Sequence, residues 1–191
     1  MVEKQENKIA FIHNSLIEGC RKNDEIAQRE IYNLYYKAMY NISLRIIGNS
    51  AEAEDIMQDS FLKAFRNISA CRENSAFGGW LKRIIVNQSI DALRVKAKIR
   101  FEEINTIPSG ILTEEVSGEA EGFTESAINV KKCISELPEG YKLILTLYLI
   151  EGYDHEEIGQ ILNIKPATSR SQFARARQKL LHMLKEKGIA L

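Results

Sequence analysis

Between Lys165 and Lys187 the chain gathers side chains suited to gripping nucleic acid rather than transforming a substrate. From Lys165 to the C-terminus there are seven Lys and Arg against one acid, in a chain whose 26 basic and 26 acidic residues cancel. Thr168, Ser171, Arg175 and Lys179 fall on one helical face, with Gln172 and Gln178 beside them. Arg170 flanks the opposite, apolar side near the start of the run, where a recognition helix meets base edges. Arg and Gln can each form paired hydrogen bonds to base edges, while Ser, Thr and Lys suit phosphates. Thr168, Arg170, Ser171, Gln172, Arg175 and Lys179 are therefore the expected contacts with duplex DNA. Arg177, nearest the apolar side, suits either an internal ion pair or a DNA contact.

Such a face is useful only if a second element fixes it. Phe173, Ala176, Leu180 and Leu184 are spaced by three, four and four residues, an apolar stripe that buries the helix's other side. Upstream, Asp154 is a good N-cap and Glu157, three residues on, completes a capping box. Ile158, Ile161 and Leu162 form the inner face of that shorter helix. Asn163 tolerates the left-handed conformation that ends a helix, and Pro166 suits the first turn of the next. The spacing predicts a helix-turn-helix whose second helix is presented to the major groove. A solvated amphipathic helix, or a basic face that binds an acidic partner, is the plainer reading of the charge alone.

The rest of the chain reads as helix too, which makes the expected fold all-α: two small helical domains joined by a flexible acidic linker, the second holding the helix-turn-helix. Residues 9–96 form the first domain. There Ile31, Leu34, Tyr35, Ala38 and Ile42 make one stripe, and Met57, Phe61, Ala64, Phe65 and Ile68 another. Gly48-Asn49-Ser50 is a stop followed by a cap candidate. Ser69–Gly79 lacks clean periodicity and is expected to be a loop, with a helix from Trp80. Residues 97–125 carry two basic and seven acidic residues around Ile107-Pro108-Ser109-Gly110, a linker signature. Residues 126–188 form the second domain, with helices at Ala127–Glu136 and Tyr141–Ile150 before the terminal pair.

Composition narrows the function. With 45% hydrophobic residues, 3 Pro and 11 Gly, the chain can build real cores. No apolar run is long enough to span a bilayer or resemble a signal peptide, so a soluble cytoplasmic protein is expected. Three scattered cysteines, Cys20, Cys71 and Cys133, fit neither a disulfide framework nor a zinc site. The HEEIG stretch at 155–159 lacks the second His of a zinc protease motif, and there is no phosphate-binding glycine loop. No catalytic residue, metal, cofactor or small-molecule substrate is expected.

Residues 51–68, AEAEDIMQDSFLKAFRNI, resemble the core-polymerase-binding segment of bacterial sigma factors. Residues 77–96, FGGWLKRIIVNQSIDALRVK, resemble the promoter-melting helix that follows it, and 137–184 resemble the sigma domain that reads the minus-thirty-five element. Their order and the short length are similar to the extracytoplasmic-function (ECF) group, which keeps only these two domains. The resemblance implies an alternative sigma factor that binds core RNA polymerase, reads minus-thirty-five duplex DNA and melts the minus-ten element. It implies that Asp55, Gln58 and Asp59, at i, i+3 and i+4, face core polymerase. The loop at 71–77 corresponds to the one that captures a flipped minus-ten base, with Asn74 and Ser75 as hydrogen-bonding groups and Phe77 as an apolar wall. Trp80 is expected as a strand-separating wedge or a core residue, and Lys82 and Asn87 as contacts to exposed bases or phosphates. Gly78-Gly79 stands where bulkier residues are common, implying a more mobile loop, and Gly159 where Ala is customary, at roughly 1 kcal/mol of helix propensity. The acidic linker suits the polymerase's basic RNA exit path, and an anti-sigma protein, often membrane-anchored, is the expected inhibitor. The rival is a stand-alone helix-turn-helix regulator whose first domain senses or dimerises.

Overall fold

Among the residues that the computed structural model describes, 13–97, 130 and 132–188, every regular element is helical and no strand is present. The chain divides into two compact units between Ala92 and Leu93. The stretch expected as an acidic linker lies, from residue 98 on, outside the described residues.

The first unit is built from α1 (13–21), α2 (Glu25–Ile47), α3 (Ser50–Arg66) and α4 (Phe77–Ala97) as far as Ala92. Its helix ends are closed by short polar side chains and left-handed residues. Asn23 sits at φ 59°, and the Asp24 carboxylate accepts the backbone N–H groups of Ile26 and Ala27. Gly48 ends α2 at φ 76°, and the Asn49 side chain accepts the Glu52 N–H at 3.0 Å, so two residues suffice to turn α2 into α3. The core is made by Ile17, Ile31, Phe61, Leu81, Ile85 and Ile90, each at most 2% exposed. Two polar contacts cross it. Ser89 Oγ donates to Ser43 Oγ at 3.1 Å, and the Ser60 hydroxyl donates to the Gln88 side-chain oxygen, which ties α4 to both α2 and α3. The stripe expected on α2 shifts. Ala27, Ile31, Met39, Ile42 and Ile46 are buried, while Leu34 is 61% exposed and Ala38 faces solvent. A three-residue step from Ile31 overshoots the buried sector that the four-residue step to Tyr35 keeps.

Between α3 and α4 the structure revises the sequence reading. Two 3-10 turns, Ile68–Ala70 and Asn74–Ala76, interrupt the expected loop, and α4 starts at Phe77 rather than Trp80. Gly78 and Gly79 are thus helical. A Cβ on Gly78 would lie 3.2 Å from the Tyr35 ring, so this glycine lets α4 close onto α2 and does not loosen the loop. Phe77 is fully buried. Its ring lies 5.5 Å from Tyr35, 5.8 Å from Trp80 and 6.3 Å from His13. Sealed in that cage it cannot form the wall of an open base pocket; it anchors the loop's end. His13 Nε2 and the Tyr35 hydroxyl complete the cage with a 2.7 Å hydrogen bond.

The second unit contains α5 (132–135), α6 (Glu139–Leu145), α7 (His155–Leu162) and α8 (Pro166–Glu186). Instead of continuing to Ile150 as a regular helix, α6 opens into a π turn over Thr146–Ile150, closed by Glu151 N–H to the Thr146 carbonyl at 2.9 Å. That wider turn leaves Tyr148, Leu149 and Ile150 37%, 56% and 45% exposed. Cys133, Leu137, Leu145, Ala176, Leu180 and Leu184 form one core cluster. Asp154 and Glu157 make the capping box, Asn163 ends α7 at φ 57°, and Pro166 opens α8.

Gly159 has a tertiary reason. A Cβ there would stand 2.9 Å from the Ile164 carbonyl oxygen and 3.5 Å from the Pro166 ring, inside the turn between α7 and α8. Gln172 departs further from its expected place beside the DNA-facing residues. It is 5% exposed, and its side-chain oxygen is buried without a hydrogen-bond partner. The buried side of α8 runs Ser169, Gln172, Ala176, Leu180, Leu184. Extending the apolar stripe by one turn toward the N-terminus carries it through Gln172, which faces the core instead of DNA.

Three outcomes follow from this packing. Gly159→Ala should cost about 1 kcal/mol or more, because the clash with a backbone oxygen outweighs the propensity gained; urea unfolding that shows a more stable variant contradicts it. Gln172→Met should raise stability by about 1 kcal/mol by removing an orphaned acceptor at similar volume, with DNA affinity unchanged; weaker promoter binding would restore the contact first expected. Burial lowers the pKa of His13 below 6.5. The unfolded chain then takes up the proton more readily, so stability held above pH 6.5 is lost as pH falls below that value toward the folded pKa. His13→Gln should flatten the fall in Tm between about pH 7.5 and 5.5 relative to the parent, and an identical slope would refute the assignment.

Candidate nucleic-acid interface

On α8, Thr168, Ser171, Arg175 and Lys179 share one narrow sector, Thr168 half-buried and the other three exposed. The Ser171 hydroxyl donates to the Thr168 carbonyl at 2.9 Å, which fixes its rotamer. Arg170 lies on the other flank of α8, where its guanidinium donates to Glu156 at 3.1 Å with both side chains more than half exposed. Such an exposed pair holds by at most about 1 kcal/mol, so Glu156 orients Arg170 without locking it. Arg177, on the same flank, is exposed and lines a shallow apolar groove with Val130, Leu145, Leu149, Phe173 and Leu181.

The sequence reading missed the contacts that fix α8 against the elements before it. Tyr148 stacks on His155 at 4.6 Å, and both rings meet Phe173, at 4.5 and 5.6 Å. His155 Nδ1 shares a 3.0 Å hydrogen bond with the buried Ser169 hydroxyl. One histidine thus joins the π turn, α7 and α8. The only sequence signal was Ser169 on the stripe side, three residues from Gln172 and seven from Ala176.

The residues assigned to single-stranded DNA fall into two groups. Asn74 is half-buried and Ser75 exposed, both on the 3-10 turn before Phe77. On α4, Trp80 is half-buried and Asn87 exposed seven residues on, sharing one face. Lys82 stands on the inward side of the helix, half-buried and away from them. A two-residue step turns a helix by more than half a circle, and the cation between Trp80 and Asn87 is the exposed Arg83.

On α3, Asp55, Gln58 and Asp59 are exposed together, opposite the buried Ala53, Met57, Ser60, Phe61 and Ala64. Gln58 Nε2 donates to Glu54 at 3.3 Å. Leu62, four residues after Gln58, continues the same row and is 53% exposed. It gives that acidic and amide face an apolar centre, and its i+7 spacing from Asp55 is the signal that could have found it.

Among the described residues no group of His, Cys, Asp or Glu could hold a metal ion, and no helix is long and apolar enough to cross a membrane. Cys20, Cys71 and Cys133 are buried, free thiols.

Residues 31–99 match Sigma-70 region 2 and residues 127–180 match Sigma-70 region 4. The ECF RNA polymerase sigma factor SigW of Bacillus subtilis is 33% identical over 178 residues, covering 89% of this chain and 95% of that protein. The ECF RNA polymerase sigma-E factor of Escherichia coli is 28% identical over 171 residues, 85% of this chain and 89% of its own. In fold, the chain is similar to the sigma factor RpoE crystallised with the anti-sigma factor NepR from Bartonella quintana, with a TM-score of 0.60 at 20% identity over 82% of this chain and 96% of that one. CnrH, in complex with the cytosolic domain of CnrY, gives a TM-score of 0.52 at 17% identity over 90% and 96%. With both regions in order and a relative that matches nearly end to end, the chain belongs to the ECF family of RNA polymerase sigma factors, initiation factors that direct transcription from promoters without enzymatic activity of their own.

Proposed function

We propose that this sigma factor engages core RNA polymerase through Asp55, Gln58, Asp59 and Leu62. It reads the minus-thirty-five duplex through Thr168, Arg170, Ser171, Arg175 and Lys179. It captures and melts the minus-ten element with Asn74, Ser75, Trp80, Arg83 and Asn87. On this reading residues 9–96 and 126–188 are the working domains, joined by the segment at 97–125, and the protein acts in the cytoplasm. One observation carries the proposal: an acidic and amide row with an apolar centre stands exposed on α3, in a chain whose α8 presents a separate basic row. A helix-turn-helix regulator working alone has no use for the α3 row.

An anti-sigma protein is part of the proposal. Two of the solved structures similar in fold are complexes, RpoE with the anti-sigma factor NepR and CnrH with the cytosolic domain of CnrY. The half-exposed Leu62 on α3 and the exposed apolar Leu149, Ile150 and Leu181 in the second unit are surfaces that a protein inhibitor would cover when polymerase does not.

The assignment is tested by two substitutions read in two assays. Arg175→Ala should weaken holoenzyme binding to a cognate promoter by about 1–3 kcal/mol and leave core-polymerase affinity unchanged. Asp55→Ala should do the reverse, lowering core affinity while the assembled holoenzyme keeps its promoter preference. Loss of both functions in either variant, or of neither, would overturn the division of labour.

A further inference from the structure

The turn at 71–76 is held by α1, the first helix of the same unit. The Arg21 guanidinium on α1 donates to the Cys71 carbonyl at 2.6 Å, fifty residues along the chain. Its other arm pairs with Glu18, one turn earlier on α1. The same Glu18 oxygen accepts from Asn74 Nδ2 at 3.2 Å. Two residues of α1 thus grip the turn at its start and at its middle, one through the turn's backbone and one through a side chain proposed to meet a base. Arg21 is well covered, with a quarter of its side chain exposed against about half for Glu18.

Within the turn, the Cys71 thiol donates to the Glu73 carbonyl at 3.3 Å. Burial pushes the thiol's pKa up, so it remains a donor. Past Asn74 the chain enters the Phe77 cage, and His13, also on α1, supplies one wall. The turn is therefore bounded by α1 before and after its exposed residues. The match to Sigma-70 region 2 begins at residue 31, so none of these α1 residues belongs to it.

We infer that Glu18 and Arg21 are positioning residues for minus-ten recognition: they set the orientation of the Asn74 amide and the path of the backbone at Cys71, and so determine which base the turn accepts. The inference rests on the reading of 71–77 as the base-capturing loop. A side-chain amide discriminates between bases only if its donor and acceptor ends are held in place. A carboxylate, which only accepts, orients the amide by drawing its NH2 end toward α1. Arg21 in turn holds that carboxylate and prevents the turn from lifting. Neither residue needs to touch DNA.

The experiment uses holoenzyme reconstituted from the full-length chain and core polymerase. Open-complex formation is measured by permanganate reactivity on a cognate promoter and on promoters carrying each single-base change across the minus-ten element. Core affinity is measured in parallel. Arg21→Ala should reduce open complex on the cognate promoter by about tenfold, the scale of one charged hydrogen bond, and flatten the minus-ten preference. Core affinity should be unchanged, and Arg21→Lys should recover part of the loss. Glu18→Ala should flatten the preference with a smaller loss of open complex, and it carries the test if Arg21→Ala fails to fold. A purely structural role would lower Tm and core affinity and leave the preference profile intact, which overturns the inference. Asn74→Ala separates the two ideas. If it alters minus-ten preference while both α1 variants keep the parental profile, the positioning role is wrong. If Asn74→Ala also keeps that profile, the loop reading fails and the inference falls with it.

Discussion

An all-helical chain must end each helix somewhere, and every end leaves backbone N–H and C=O groups without partners. That constraint shapes both units, and the turn at 71–76, proposed to take the minus-ten base, lies between two such ends. Asp24 closes the start of α2, Gly48 and Asn49 close the step from α2 to α3, and Asp154 with Glu157 closes the start of α7. The gap between α3 and α4 is harder. Neither 3-10 turn there receives a side-chain cap. Its order comes from Arg21, which satisfies the Cys71 carbonyl, and from Phe77, which is sealed among aromatic rings.

Local rules made much of the fold legible, and the failures have a common cause. The capping box at Asp154, the left-handed Asn163, Pro166 at the start of α8 and the Gly48-Asn49 stop each depend on residues within four positions, and sequence shows those directly. Phe77, Gly78, Gly159 and Gln172 were misread because their surroundings come from elsewhere in the chain. Gly78 meets Tyr35, and Gly159 meets the carbonyl of a residue beyond the turn. Local propensity treats both glycines as weak points, whereas the structure uses their missing Cβ for close approach. Gln172 was placed by residue type, since a glutamine on a basic helix invites a base contact; the geometry of the stripe puts it inside.

The candidate site shows the same division. Rows built from one helix could be read from spacing: Thr168, Ser171, Arg175 and Lys179 on α8, and Asp55, Gln58 and Asp59 on α3. Leu62 was missed because it is apolar in a polar row, although its spacing is right. Lys82 was included because lysine suits phosphate, although its angular position on α4 separates it from Trp80 and Asn87. Contacts that join elements leave little local pattern: His155 with Ser169 and Tyr148 shows only in Ser169's place on the stripe side, and Arg21 with Cys71 not at all.

The positive charge of α8 also needs to be weighed against its setting. The net charge of the chain is zero, so long-range attraction to DNA is weak, and the basic row acts only at short distance. A few exposed cations on one helix give affinity that falls steeply with salt. Arg170 is also partly occupied by Glu156 when no DNA is present. On the proposed reading, these terms make the second unit a poor DNA binder alone and a useful one when another contact has already brought the promoter near. Specificity then rests on sites held rigidly before DNA arrives. For α8 that rigidity comes from the Tyr148–His155–Phe173 stack and the tight turn at Gly159; for the turn at 71–76 it comes from α1. Weak attraction combined with held geometry suits a factor that must discriminate among promoters and still release them after initiation.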